Sequence, residues 1–138
     1  MEIATSKMIM RTNVRFENGR LVFPEQNHSV DLLNIKPYKG EDSGFIFYSH
    51  TGKEICHISV RTDRRPCELT YGTVDEFRGQ GYMQAAMKIV LQLFEENHVT
   101  EEISGLIYKN PVSEHILIKS GFVRSGNYQY GGFWYIHK

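Results

Sequence analysis

Residues 68–94 read ELTYGTVDEFRGQGYMQAAMKIVLQLF, and the order of signals within them decides the fold. Cys67-Glu68-Leu69-Thr70-Tyr71-Gly72-Thr73-Val74 is strand-like, rich in β-branched and aromatic residues. Arg78-Gly79-Gln80-Gly81-Tyr82-Met83 follows as a glycine-punctuated turn, and from Gly81 to Asn97 the pattern becomes helical. Gln84, Lys88, Gln92 and Glu95/Glu96 make its polar stripe, and Ala86, Ile89, Val90, Leu93 and Phe94 the opposing apolar face. Two glycines at a strand-to-helix junction let backbone amides crowd around an anion, and the helix adds the positive end of its dipole. Such a turn points to a phosphate-bearing ligand. A dinucleotide fingerprint would need glycine where Gln84 stands, and a P-loop would need Gly-Lys-Ser/Thr, which the chain lacks.

Working outward, Gly44–Ser49 and Glu54–Val60 read as two strands joined by His50-Thr51-Gly52-Lys53, a β-hairpin. Downstream, Ile103–Tyr108 reads as a buried strand. A second helix then starts at Asn110, a good N-cap, with Pro111 in first position, and stops at Lys119-Ser120-Gly121. Tyr128, Tyr130, Gly131, Gly132, Phe133, Trp134 and Tyr135 suggest a final hairpin. The first forty residues are the least legible: Arg20–Phe23 as a strand stopped by Pro24, and Ser29–Lys36 as a short helix ended by Pro37. The expected class is α/β (α+β), a mixed sheet with helices on its faces, in a single domain over residues 1–138.

Sixteen basic and sixteen acidic residues balance to a formal charge of zero, without the basic excess of a nucleic-acid or membrane-surface binder. Arg61-Thr62-Asp63-Arg64-Arg65 reads as a solvated turn. Cys56 and Cys67 make no disulfide framework, and no Cys/His spacing suggests zinc or another metal. The start Met1–Lys7 has no apolar signal core and no run reaches membrane-spanning length. A complete, cytoplasmic protein is expected.

Arg78-Gly79-Gln80-Gly81-Tyr82-Met83 follows the pattern Arg/Gln-x-x-Gly-x-Gly/Ala and resembles the turn of the GCN5-related N-acetyltransferases, the GNAT family. Met83 departs from it, standing where Gly or Ala is usual. Asn110-Pro111-Val112-Ser113 with Lys119-Ser120-Gly121-Phe122 is similar to a second family signature, typical of the ribosomal-protein N-terminal acetyltransferase branch. The resemblance covers roughly residues 44 to 138. It implies a mostly antiparallel central sheet with helices on both faces, and acetyl-CoA as donor. The pyrophosphate of the donor would lie on Arg78, Gly79, Gln80, Gly81, Tyr82 and Met83, and its pantetheine arm beside Asn110 and Ser113. An oxyanion-binding amide would lie near Thr73-Val74-Asp75, with Val74 as its centre. The acceptor would be a primary amine, on a protein N-terminus or a small molecule such as a polyamine or amino sugar. A homodimer is left open.

Acetyl transfer needs a neutral amine, a thioester held close, an oxyanion donor and a proton for the departing thiolate. Glu68 stands where some family members carry a base that acts through water, and an edge-facing structural glutamate is the competing reading. His57 is the alternative base. The family's frequent acid, a tyrosine four residues before the Gly-Phe glycine, is replaced by Leu117, leaving Ser113, Tyr108 or a water for that role. Cys56 and Cys67 are expected to be inert thiols. A non-catalytic acyl-CoA-binding module, lacking that acid, is the other function compatible with these residues.

Overall fold

The computed structural model describes residues 1–24, 40–61, 67–100, 103–106, 111–124 and 132–135. The N-terminal part forms four short strands, β1 (Glu2–Ala4), β2 (Ile9–Arg11), β3 (Arg15–Glu17) and β4 (Arg20–Val22). Next come β5 (Gly44–Tyr48), β6 (Glu54–Arg61) and β7 (Cys67–Thr73), then helix α1 (Tyr82–Glu96). The chain continues through β8 (Ile103–Leu106), helix α2 (Pro111–Lys119), β9 (Phe122–Arg124) and β10 (Gly132–Tyr135). Eight strands make one sheet in the order β1-β2-β5-β6-β7-β8-β10-β9, and β3 pairs with β4 apart from it. All pairings are antiparallel except β7 with β8, the two strands that α1 joins. A parallel pair needs such a crossover. The expected mixed, mostly antiparallel sheet with helices is therefore present.

The expected hairpin is β5–β6 and the expected third strand is β7. Along α1 the apolar stripe faces the core and Gln84, Lys88, Gln92, Glu95 and Glu96 are exposed. The register puts Phe45, Ile58, Tyr71 on one face of the sheet with Phe47, Val60 and Leu69. Against that face Phe94 packs edge-on to Phe45 (6.4 Å) and to Phe16 (6.0 Å). Such pairs add about 0.5–1.5 kcal/mol beyond burial. Val99 N–H reaches back to Phe94 C=O and His98 N–H to Glu95 C=O, closing α1 with His98 at a left-handed φ of 50°. Gly121, at φ 96°, closes α2 in the same conformation, as expected.

Three elements differ from expectation. The N-terminal strands β1, β2 and β3 escape a periodicity search because each is three residues long. The β3–β4 hairpin turns on Asn18-Gly19, both at positive φ (52° and 77°), the strongest short hairpin signal a sequence carries. The final hairpin is formed by β9 with β10, and β10 inserts between β8 and β9. Residues 128–131 and the expected helix over Ser29–Lys36 lie outside the described residues. No described helix is long and apolar enough to cross a membrane.

Candidate functional site

Among the described residues the parallel pairing of β7 with β8 runs from Cys67↔Ile103 to Leu69↔Gly105. β7 carries on to Thr73 beside β6. Val74 N–H donates to Ile55 C=O at 2.9 Å, extending the antiparallel ladder of β6 and β7. Because backbone groups alternate in such a ladder, those of Gly72 and Val74 turn to β6 and those of Thr73 turn the other way. The Thr73 carbonyl confirms the direction by accepting Arg78 Nε at 3.2 Å. Its N–H thus points to the side of β7 away from β6. Within the stretch Thr73-Val74-Asp75, the Val74 amide is bonded to Ile55, and the Thr73 amide is the one turned away from β6.

A cleft of about 590 Å³ lies at this end of β7. Tyr71, Gly72 and Thr73 form its strand wall, Arg78, Gly79, Gly81 and Met83 its turn, and His115 and Ile116 of α2 its opposite side. The turn is held from within. Asp75–Phe77 make one turn of 3-10 helix, with Arg78 N–H on Asp75 C=O (3.2 Å) and Arg78 Nη2 on the Asp75 carboxylate (3.1 Å). Gln80 Nε2 donates to Glu76 C=O at 3.0 Å, and the Phe77 and Tyr82 rings meet edge-on at 5.6 Å. Arg78 therefore acts on the turn's shape, its guanidinium folded back onto the strand end.

Gly79 (φ 73°) and Gly81 (φ 80°) both adopt the left-handed conformation. Gly81 is the N-cap of α1 and supplies no side-chain cap; the first intrahelical bond is Ala85 N–H to Gly81 C=O. The amides of Tyr82, Met83 and Gln84 precede it and have no acceptor inside the helix. No acidic residue lies in that first turn. Three amides and the helix dipole thus converge on an unneutralised anion site. Met83, the departure from the family pattern, turns its side chain into the core (6% exposed), leaving only its backbone at the turn.

Glu68 is buried (6% exposed), opposite Arg61 and Ser104 in register, and lies upstream of the residues that line the cleft. His57 is half-buried, its ring over Gly72: a Cβ there would stand 3.0 Å from His57 Cε1. Leu117 is wholly buried, with Cδ1 2.9 Å from where a Gly105 Cβ would be, so that helix position is a packing residue. His115, on the cleft side of the same helix, went unrecognised in the sequence, where no motif or spacing set it apart. Asn110, Tyr108 and the side chains of Ser113 and Cys67 lie outside the described residues. Burial, aided by Glu54, pushes the Cys56 thiol up to about 12, which removes it as a nucleophile near neutral pH. Among the described residues no group of three or more His, Cys, Asp and Glu could hold a metal ion.

The family model described as "Acetyltransferase (GNAT) domain" matches residues 8–123, well over half of the chain. Among solved structures, an acetyltransferase from Agrobacterium tumefaciens str. C58 is similar at TM-score 0.68 and 12% identity, covering 99% of this chain and 95% of that one. A GNAT-family acetyltransferase from Bacillus anthracis is similar at 0.60 and 14%, covering 98% and 96%. The spermidine N-acetyltransferase SpeG F149A mutant from Vibrio cholerae is similar at 0.57 and 17%, covering 67% of this chain and 64% of that one. At these identities the likeness is one of fold. No curated protein sequence matches the chain.

Proposed function

The chain belongs to the GNAT acetyltransferase family, and on that premise we propose that it is an acetyl-CoA-dependent N-acetyltransferase acting by direct transfer to a primary amine. One observation carries the reading. One cleft is lined both by Tyr71–Thr73, whose Thr73 N–H turns away from β6, and by the uncapped turn of α1. A ligand with phosphates at one end and a carbonyl at the other matches that spacing of donors in kind.

In this reading the amides of the Gly79–Gly81 turn and of Tyr82, Met83 and Gln84 hold the pyrophosphate, with Asn110 and Ser113 beside the pantetheine arm. Thr73 N–H donates to the thioester oxygen as negative charge develops there, the kind of contact worth about 2.7–4 kcal/mol in acyl transfer. Glu68, through a water, takes the proton that the amine loses as its nitrogen bonds to the carbonyl carbon. His57 over Gly72 is the alternative base. The carbon–sulfur bond then breaks, and Ser113 or His115 returns a proton to the sulfur. The buried free thiol of Cys56 supports a reducing, cytoplasmic setting.

The acceptor is proposed as a small polyamine or a protein N-terminus. The spermidine N-acetyltransferase among the structural neighbours supports putting polyamines first. A second reading, an acyl-CoA-binding module without turnover, is favoured by Leu117, buried where the family's acid usually stands. Calorimetry with acetyl-CoA and a thiol-release assay over polyamines, amino sugars and N-terminal peptides separate them. Binding with thiol release on at least one amine is the expected result. Binding without release on any amine establishes the module, and no binding ends both readings.

A further inference from the structure

We propose that Lys7, on the turn between β1 and β2, is part of the phosphate site and binds the pyrophosphate of the donor. The proposal rests on the coenzyme A reading of the cleft and adds a residue from the far end of the chain to it. Lys7 Nζ lies 3.4 Å from the Gln80 carbonyl oxygen, across 73 residues of sequence. It stands 4.9 Å from the centroid of the Tyr82 ring and 3.7 Å from where a Cβ on Gly81 would be. All three neighbours belong to the turn that presents the uncapped amides of α1.

Lys7 is exposed, and among the described residues no carboxylate pairs with it. The nearest acidic side chains of the turn are engaged elsewhere, Asp75 with Arg78 and Glu76 with Lys53. Arg78 itself is tied back to Thr73 and Asp75. Among the described residues the turn therefore has one cation whose charge is not already answered, and that cation comes from the N-terminal hairpin. Its position is defined from behind. The Thr5 hydroxyl accepts from Lys7 N–H (3.3 Å) and Met8 N–H (3.1 Å), and His50 Nε2 is 2.9 Å from the Thr5 carbonyl. A carbonyl and an aromatic face use only part of an ammonium's three donors. An anion held by the amides of Tyr82 to Gln84 meets the remaining ones, in a contact where both partners are charged.

The test is calorimetric binding of three donors of decreasing charge: acetyl-CoA, its 3′-dephospho form, and S-acetylpantetheine, which has no phosphate. Wild-type protein is measured beside Lys7→Met, which keeps the aliphatic stem, and Lys7→Arg, which keeps the charge. Lys7→Met is expected to weaken acetyl-CoA and its 3′-dephospho form alike, by about tenfold at low salt and less at high salt. S-acetylpantetheine is expected to shift by less than about twofold, and Lys7→Arg to stay near wild type for all three. Equal loss for all donors, no loss for any, or a loss confined to the 3′-phosphorylated form overturns the assignment. Failure of wild-type protein to bind acetyl-CoA would instead remove the coenzyme A reading on which it rests. Lys7 is exposed and outside the core, so thermal unfolding of the variants is expected to match wild type.

Discussion

At the scale of single residues, Gly81 shows how one backbone angle sets a function. With φ at 80°, any β-branched side chain there is strained, and its Cβ would also approach Lys7 Nζ. Gly81→Val is therefore expected to abolish acetyl-CoA binding by calorimetry while circular dichroism still reports a folded domain. Retained affinity would sink the phosphate-turn reading. For the proposed base, Glu68→Gln should lower turnover about a hundredfold with the donor Kd almost unchanged. If His57→Gln produces that pattern and Glu68→Gln does not, the base is His57. Cys56 makes a prediction of another kind. Its thiol ionises at about 12 in the folded chain, against an ordinary value about three units lower, because burial disfavours the thiolate. Above roughly pH 9 the unfolded state then holds fewer protons than the folded state. Stability should fall as pH rises from there to about 12, by up to about 1.4 kcal/mol per pH unit. Urea melts across that range should show the slope, and Cys56→Ala should flatten it.

At the scale of elements, Gly105 and Leu117 fix where α2 sits on β8. A methyl at position 105 would stand 2.9 Å from Leu117 Cδ1 and 3.1 Å from Cδ2. Gly105→Ala should therefore cost about 1–3 kcal/mol, the range for overpacking, and lower the melting temperature by several degrees. Adding Leu117→Ala should return part of that loss; a double variant no better than the sum of the two would show that the pair does not couple. These elements also show what was readable beforehand. α1 was legible because fifteen residues repeat one apolar stripe, and α2 because Pro111 and Gly121 mark its two ends. Strands of three residues carry too little periodicity to be seen, although Asn18-Gly19 announced one hairpin. The glycines of the turn were legible because glycine adopts positive φ without steric cost. Which amide near Thr73 is available was not, since that depends on strand register, a property of the partner as much as of the residue. Lys7 was invisible for a similar reason: only the fold brings it to Gln80.

At the scale of the whole molecule, the first two strands complete the sheet edge and also carry Lys7 to the turn, so the N-terminal segment serves both stability and the site. The N-terminal part is also tied to the segment that follows α1: Thr100 N–H donates to Gly19 C=O, docking the β3–β4 hairpin there. A protein tied together in this way should melt in one transition. Within it, amide exchange should be uneven along β7. Gly72 and Val74, bonded to β6, should exchange slowly, and Thr73, facing the cleft, should exchange fast. Saturating acetyl-CoA should slow Thr73 by more than about tenfold; an unchanged rate measured by NMR would argue that its N–H meets no ligand.

The cleft beside Tyr71, Gly72 and Thr73 bears on how the sheet avoids unwanted pairing. Unpaired backbone at a sheet's rim invites another chain to add itself, and proteins guard such rims with charge, bulges or cover. Here the Thr73 amide that turns away from β6 lies within the sheet and not at its rim, in a cleft that His115 and Ile116 of α2 also line. If the proposed function holds, a narrow donor carrying amide groups of its own would bond to it as a strand would. A backbone group that is an aggregation hazard at the margin would then serve, in the middle, as a docking point for a small peptide-like molecule.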